Sequence, residues 1–187
     1  MMLKTLHEEF FKELKPIYSV QEIRSLFFIV CENVLKYQKT KVLLHFNDDV
    51  EDSKFLKVRE IVDKLKHNEP IQYILGETEF YGIKLSVGSG VLIPRQETEE
   101  IIHYMVRHFD KDERLTILDV CTGSGCIPVS LAKLFPKSKV KAIDIADICI
   151  DYTTKNCALH NVDVEIIKAD VLHDDYEPQA AQFDVII

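Results

Sequence analysis

Apolar residues recur at helical spacing throughout the first third of the chain. Positions three and four residues apart lie on one face of a helix, so each such series predicts an amphipathic helix. Three series occur, at Leu3, Leu6, Phe10 and Leu14, at Ile23, Phe27, Val30 and Val34, and at Phe55, Val58, Ile61, Val62 and Leu65. Pro16 separates the first two helices, and Ser19 is placed to cap the second. The pattern predicts an all-helical domain over residues 1–68.

The pattern changes between residues 69 and 93. Short apolar stretches from Ile71 to Ile93 are punctuated by four glycines, at Gly76, Gly82, Gly88 and Gly90. Such stretches predict a β-hairpin or two short strands, here as a link between two domains. Pro94 ends the second strand because it cannot donate a hydrogen bond to a ladder. A helix is then expected through about Phe109.

From Leu115 onward, apolar and amphipathic runs alternate as strand, helix, strand, helix and strand, before a final strand from Phe183 to Ile187. The alternation predicts an α/β fold with a mainly parallel sheet over residues 94–187. In such sheets the reactive loops follow the carboxyl ends of the strands, and no residue follows the last strand here. The sequence is therefore expected to be a fragment that holds the N-terminal half of its second domain.

The loop between the first of these strands and its helix carries the chemistry. It reads Asp119-Val120-Cys121-Thr122-Gly123-Ser124-Gly125. Gly123 and Gly125 lack a Cβ, so a ligand can lie against the main chain. Asp144 ends the next apolar run about twenty residues later, where an acid can accept hydrogen bonds from both hydroxyls of a ribose. The spacing predicts an adenosine-type cofactor.

Asp119 discriminates among adenosine cofactors. A carboxylate at this point would repel a pyrophosphate, whereas it attracts the sulfonium and α-ammonium groups of S-adenosylmethionine, which is therefore favoured over NAD. Asp170 and Val171 follow the third strand and are placed to contact the edge of the adenine. The structural alternatives are an ordinary turn in which Ser124 caps the helix, and an Asp144 that is a solvent-exposed strand end or a helix cap.

The composition of the chain limits the kinds of partner and compartment that are expected. The 187 residues carry a formal net charge of −8, which argues weakly against a large nonspecific nucleic-acid surface. No apolar run is long enough to span a membrane and the N-terminus does not resemble a secretory signal, so a cytoplasmic protein is expected. The five cysteines form no C-x-x-C pair and are expected to be reduced and buried. His103 and His108 lack a metal-site pattern, and no metal site is predicted.

Three strings outside the cofactor loop point to a family. They run from Pro70 to Gly76, from Glu79 to Gly82 and from Val91 to Glu99, and read PIQYILG, EFYG and VLIPRQETE. They resemble the release-factor glutamine methyltransferases, the PrmC/HemK family, whose pattern reads P-x-Q-Y-I-x-G, E-F-x-G and V-L-I-P-R-P-E-T-E. The family's cofactor loop, D-x-G-T-G-S-G, is matched by Asp119 to Gly125. The resemblance covers nearly all of the chain.

The chain departs from the family pattern at three points. Gln96 replaces the second proline of the last string, which loosens the start of the helix. Cys121 replaces the first glycine of the cofactor loop, where its side chain is expected to weaken cofactor binding. The family's catalytic Asn-Pro-Pro-Tyr loop would lie beyond Ile187. No catalytic residue is therefore assigned within the chain, and residues 1–187 alone are expected to transfer no methyl group.

The resemblance implies a class I S-adenosylmethionine-dependent methyltransferase with a Rossmann-like sheet and a helical N-terminal domain that docks the substrate. The implied reaction is methyl transfer to the side-chain amide nitrogen of the glutamine in the Gly-Gly-Gln motif of peptide-chain release factors. These release factors are the implied partners, with no direct nucleic-acid binding and no membrane. Leu92 to Glu99 would form one wall of the site, with Arg95 as a structural ion-pair partner. The implied cofactor-binding residues are Asp119, Cys121, Thr122, Gly123, Ser124, Gly125, Asp144, Asp170 and Val171.

Other functions stay open on the sequence. An amino-methyltransferase that acts on an exocyclic base nitrogen of DNA or rRNA faces the same problem of a delocalised lone pair. The helical N-terminal region, the Leu-Ile-Pro-Arg string and the acidic balance disfavour it. A non-catalytic interaction domain is favoured only by Cys121, and a nicotinamide-dependent dehydrogenase is disfavoured by Asp119 and the glycine spacing.

Overall fold

The chain divides into two units by its internal contacts, residues 1–75 and residues 76–187. The computed structural model describes residues 2–173 and 182–187. Among these residues no helix is both long enough and apolar enough to cross a membrane. The domain boundaries predicted at residues 68 and 93 stay predictions.

The first unit is built from helices, as its apolar periodicity predicts. They are α1 (Leu3–Leu14), α2 (Val20–Val30), α3 (Lys39–Leu44), α4 (Asp52–Lys66) and α5 (Ile71–Leu75), with a π-helical turn (Cys31–Leu35) after α2. The predicted apolar faces are buried in one core, in which the rings of Phe10 and Phe27 lie edge-on at 5.3 Å. Ser19 caps α2: its hydroxyl accepts from the Glu22 N–H, and the Glu22 carboxylate accepts from the Ser19 N–H.

A two-stranded antiparallel hairpin opens the second unit, with β1 at Glu77–Phe80 and β2 at Ile83–Ser86. Tyr81 and Gly82 form its turn with φ values of 47° and 72°, a left-handed pair that suits the twist of a tight hairpin. The hairpin confirms the change of pattern seen in the sequence, but it is shorter than the apolar stretch that predicted it.

The flanks of the hairpin differ from the prediction. Residues 71–75 form α5, because the Pro70 carbonyl accepts from the N–H groups of Tyr73 and Ile74 and starts a helical turn. Residues 87–94 form a loop in which the Val91 N–H bonds to the Gly88 carbonyl and not to a neighbouring strand. The second strand therefore ends at Ser86, well before Pro94.

A four-stranded parallel sheet of order β5-β4-β3-β6 forms the centre of the second unit, which confirms the predicted α/β topology. Its strands are β3 (Thr116–Val120), β4 (Lys139–Asp144), β5 (Glu165–Lys168) and β6 (Val185–Ile186), and its helices are α6 (Glu99–His108), α7 (Cys126–Leu134) and α8 (Asp147–His160). The last strand is shorter than predicted, although the Ile187 N–H still donates to the Leu118 carbonyl at 2.9 Å.

The helix expected after Pro94 begins with a 3-10 turn at Gln96–Thr98 and continues as α6, which ends one residue before Phe109. Ile102 of this helix packs in the same buried cluster as Ile117 of β3 and Val129 of α7. Because β3 lies between β4 and β6 in a parallel sheet, the loop that follows it emerges beside the carboxyl end of β4.

Candidate cofactor site

The loop between β3 and α7 alternates left-handed and ordinary backbone. Cys121, Gly123 and Gly125 have φ values of 63°, 59° and 76°. A Cβ on Gly125 would lie 2.9 Å from Cγ2 and 3.1 Å from Cα of Thr153, so this position requires glycine for space as well as for conformation. A Cβ on Gly123 would meet no atom within 4 Å. The main chain at Gly123 is therefore open on the side where a ligand could approach.

Cys121 is an exception to the predicted burial of the thiols. Cys31, Cys126, Cys149 and Cys157 are buried and free, whereas Cys121 is exposed. Strand β3 ends at Val120, and Cys121 is the first residue of the left-handed turn that follows it. A left-handed conformation costs a residue other than glycine about 1 kcal/mol or more, so the departure from the family's glycine falls at a strained position.

Asp119 is buried at the end of β3 with 2% of its surface exposed, and its Oδ2 has no hydrogen-bond partner among the described residues. Burial raises the pKa of its carboxyl to about 7; the nearby Thr122 hydroxyl offsets part of this rise, and the negative charge of Asp144 adds to it. The protein itself therefore compensates only part of the desolvation of this carboxylate.

Among the residues that the structure describes, two hydroxyls of the same loop are also buried without a hydrogen bond of standard geometry, Thr122 Oγ1 and Ser124 Oγ, although the Thr122 hydroxyl lies near Asp119. Ser124 does not cap α7, whose N-cap is Gly125 without a side-chain hydrogen bond, so the capping alternative is wrong. An unsatisfied buried polar group costs about 1–3 kcal/mol. Three such groups within six residues, Asp119 to Ser124, point to a ligand that supplies the missing partners.

Asp144 holds the loop from the neighbouring strand. Its Oδ2 accepts from the Gly123 N–H at 2.9 Å and its Oδ1 accepts from the Ala146 N–H at 3.0 Å. It is buried, so it is not a solvent-exposed strand end, and the N-cap of α8 is Ala146. Each carboxylate oxygen can accept a further hydrogen bond. Asp144 is therefore fixed beside the glycine loop with acceptor capacity to spare.

The residues after β5 lie at the same edge of the sheet. The Ala169 N–H donates to the Asp144 carbonyl at 3.1 Å, which joins this segment to the end of β4. Asp170 turns the chain by accepting from the Leu172 N–H at 3.0 Å. The loop after β3, Asp144 and the Asp170-Val171 pair thus follow three adjacent strands, and their contacts with a cofactor stay a prediction.

In the segment Leu92 to Glu99, predicted to form a wall of the site, the side chain of Glu99 forms a hydrogen bond that joins two elements. Glu99 Oε1 accepts from the Tyr81 N–H at 2.9 Å and so ties the start of α6 to the hairpin turn. Arg95, expected to be an ion-pair partner, is exposed and forms no ion pair with any residue in the described ranges. Leu92 is 69% exposed.

The sequence analysis missed two buried polar residues of α8. Thr153 Oγ1 donates to the Gly123 carbonyl at 3.2 Å, and Asn156 Nδ2 donates to the Ser124 carbonyl at 2.9 Å. Both side chains are fully buried. A search for apolar periodicity passes over such residues. The signal that could have found them is their spacing with Cys149 and Cys157, which places all four on one face of the helix.

Two family models match the chain, the PrmC N-terminal domain over residues 6–76 and the methyltransferase small domain over residues 96–187. Among curated proteins, the release factor glutamine methyltransferase of Flavobacterium psychrophilum is 35% identical over all of this chain and 66% of its own length. That of Bacteroides thetaiotaomicron is 34% identical over 94% of this chain and 62% of its own. The chain thus spans less than two thirds of the length of these relatives.

Among solved structures, M. jannaschii TYW2 in complex with AdoMet is 23% identical over 59% of this chain and 50% of its own, with a TM-score of 0.48. A structural similarity of that extent does not support an assignment of fold. The fold class is assigned from the parallel sheet order and the two family models.

Proposed function

Because the chain belongs to the PrmC/HemK family of release factor glutamine methyltransferases, we propose that the protein transfers a methyl group from S-adenosylmethionine to the glutamine side chain of a peptide-chain release factor. Its fold is the class I, Rossmann-like fold that the family implies. The observation that carries the proposal is the loop from Asp119 to Gly125, where three buried polar atoms lack a partner among the described residues and lie beside open main chain.

These residues fit S-adenosylmethionine by charge and by hydrogen bonding. The uncompensated carboxylate of Asp119 would gain the partner it lacks from a cationic group. The unpartnered hydroxyls of Thr122 and Ser124 offer further donors and acceptors. Asp144 would accept from the ribose hydroxyls while it holds Gly123, and Asp170 with Val171 would contact the adenine edge. When bound, S-adenosylmethionine supplies an electrophilic methyl group on a positively charged sulfur.

The remaining task of the protein is to present an amide nitrogen to that methyl group. An amide nitrogen is a poor nucleophile because its lone pair is delocalised into the carbonyl. Holding the nitrogen in line with the methyl group supplies much of the acceleration by proximity and orientation. We assign Leu92 to Glu99 to the wall that limits where the acceptor can lie, and residues 1–68 to docking of the release factor. No residue of this chain is assigned to hydrogen bonding with the reacting amide.

The test is methyl transfer by the complete protein. Release factor and methyl-labelled S-adenosylmethionine are incubated with the protein, and the labelled site is located by mass spectrometry. Label on the glutamine of the Gly-Gly-Gln motif is expected, with none on a release factor in which that glutamine is alanine. Absence of label with folded protein would overturn the proposal, as would label on DNA or rRNA in a parallel incubation. The alternative of a base nitrogen is not favoured, since the matching curated relatives are named for release factor glutamine.

A further inference from the structure

Helix α8 runs alongside β2 in the opposite direction and is bonded to it at two points. The His160 ring Nε2 donates to the Lys84 carbonyl at 2.6 Å. Four residues earlier in the helix and two residues later in the strand, Asn156 bonds both main-chain groups of Ser86: its Oδ1 accepts from the N–H at 2.7 Å, and its Nδ2 donates to the carbonyl at 2.9 Å.

The same pairing, four residues along the helix for two residues along the other segment, continues beyond the end of β2. The Tyr152 hydroxyl fills the space that a Cβ on Gly88 would need, and a Cβ on Gly90 would lie 3.5 Å from Cγ2 of Ile148. Every fourth residue of the helix therefore lies beside every second residue from Lys84 to Gly90. Within β2 the two steps match in length, about 6 Å in a helix and about 6.6 Å in a strand. Helix α8 thus fixes the position of residues 84–90, which lead directly to Leu92.

Asn156 differs from Ile148, Tyr152 and His160, which also lie beside residues 84–90, because it bonds the cofactor loop as well. Its Nδ2 donates to the Ser124 carbonyl at 2.9 Å as well as to the Ser86 carbonyl. Among the described residues, the side chain is fully buried and both donors and the acceptor are used. Within the described ranges, the Thr153 hydroxyl bonds the loop, through the Gly123 carbonyl, and not the strand. His160 bonds the strand and, through Nδ1, accepts from the Lys133 ammonium of α7 at 3.3 Å, but it does not bond the loop.

We propose that Asn156 is a positioning residue that fixes the glycine loop and the segment after β2 relative to each other, and so sets where the acceptor wall Leu92 to Glu99 stands beside the bound cofactor. This inference rests on the function proposed above. A carboxamide suits the task because it offers two donors and an acceptor on a short, neutral side chain. An aspartate would keep the acceptor for the Ser86 N–H and lose both donors.

The test compares variants in which helix α8 loses its hydrogen bonds to the cofactor loop, to the segment that contains β2, or to both. Asn156→Asp releases the Ser124 and Ser86 carbonyls, and Thr153→Val releases the loop but not the strand. His160→Ala releases the strand but not the loop, and Lys133→Ala is its control because it removes only the other hydrogen bond of His160. For the complete protein, calorimetry gives the Kd of S-adenosylmethionine, and steady-state assays give kcat and KM for the release factor. Loss of a hydrogen bond to a buried carbonyl corresponds to about a tenfold effect.

We expect Asn156→Asp to raise the cofactor Kd about tenfold and to lower kcat about tenfold at saturating cofactor and release factor. Thr153→Val is expected to change only the cofactor Kd. His160→Ala is expected to change only the kinetics with the release factor. A residue that merely stabilises the fold would lower Tm and leave kcat unchanged at a temperature where the variant is folded.

Asn156→Ser provides the same test if the aspartate variant fails to fold, because a serine hydroxyl is too short to reach both carbonyls. The positioning role is overturned if a folded Asn156 variant keeps both the cofactor Kd and kcat within about twofold of wild type, or changes only one of them. If wild type itself binds no S-adenosylmethionine, the proposed function fails, and the positioning role fails with it. The wild-type titration therefore separates the two failures.

Discussion

Replacing Asp119 with asparagine should stabilise the second unit and weaken cofactor binding in the same variant. Burial raises the pKa of the Asp119 carboxyl from 3.8 to about 7, a rise of about three units, and each unit corresponds to about 1.4 kcal/mol. At pH values above 7, ionised Asp119 therefore lowers the free energy of unfolding by on the order of 4 kcal/mol. Asparagine keeps the shape of the side chain and removes this cost.

The sign of the pH dependence follows from proton binding. Between 3.8 and about 7 the folded state holds more protons on Asp119 than the unfolded state does, so stability falls as the pH rises through this window. The stability advantage of Asp119→Asn over wild type should grow by roughly 2–3 kcal/mol between about pH 5 and about pH 8. Asp151→Asn, at an exposed position of α8, is the matched control and should leave the difference flat.

Cofactor binding should depend on pH in the opposite direction to stability. A cationic ligand stabilises the ionised carboxylate, so binding near pH 6.5 should release a proton, and affinity should rise with pH up to about 7. Loss of a charge-assisted contact should weaken binding by Asp119→Asn roughly 10- to 100-fold. Urea unfolding across this pH range measures the stability, and calorimetry in two buffers of different ionisation enthalpy measures the proton release. A flat stability difference, or unchanged affinity in the variant, would refute the reasoning.

Three further predictions test the loop and the first unit. Cys121→Gly should tighten S-adenosylmethionine binding because it removes an exposed side chain that is expected to crowd the methionine moiety; an unchanged or weaker affinity by calorimetry contradicts this. Gly125→Ala should destabilise the second unit more than Gly123→Ala in urea unfolding, since both have left-handed backbone but only Gly125 faces Thr153; equal losses contradict this. Burial lowers the pKa of His7, so its contribution to the stability of the first unit should be present above pH 6.5 and be lost as the pH falls through the lowered pKa. His7→Phe should remove this slope in urea unfolding, and a persistent slope would assign it to another group.

Local patterns were sufficient for the features that depend on neighbours in the sequence. The apolar series of the first unit, the capping box of Ser19 and the turn between β3 and α7 each involve residues within a few positions of one another. The parallel sheet follows from the alternation of strands and helices. These features agree with the sequence because local propensity and the final fold favour the same structure.

The features that the sequence did not predict depend on distant partners. Asn156 and Ser86 are 70 residues apart, and a buried asparagine differs from an exposed one only through such a partner. Cys121 was expected to be buried because cysteine usually is, whereas the left-handed turn after β3 exposes it. In α5, the helical start at Pro70 prevailed over the apolar stretch that predicted a strand.

The polar groups around the loop differ in a way that bears on binding. Groups that face the rest of the unit are satisfied: Asp144 by Gly123 and Ala146, and Asn156 by Ser86 and Ser124. Asp119 Oδ2 and the hydroxyls of Thr122 and Ser124, which lack a partner within residues 2–173 and 182–187, all belong to the loop itself. Because the groups that hold the loop are already hydrogen-bonded without ligand, little conformational entropy is lost when a ligand binds. More of the free energy of the new contacts can then appear as affinity. On the proposed function, the free energy lost by leaving ionised Asp119 unpaired would be recovered when a cationic group binds beside it. The same carboxylate would then lower the stability of the unit and select for a positively charged ligand.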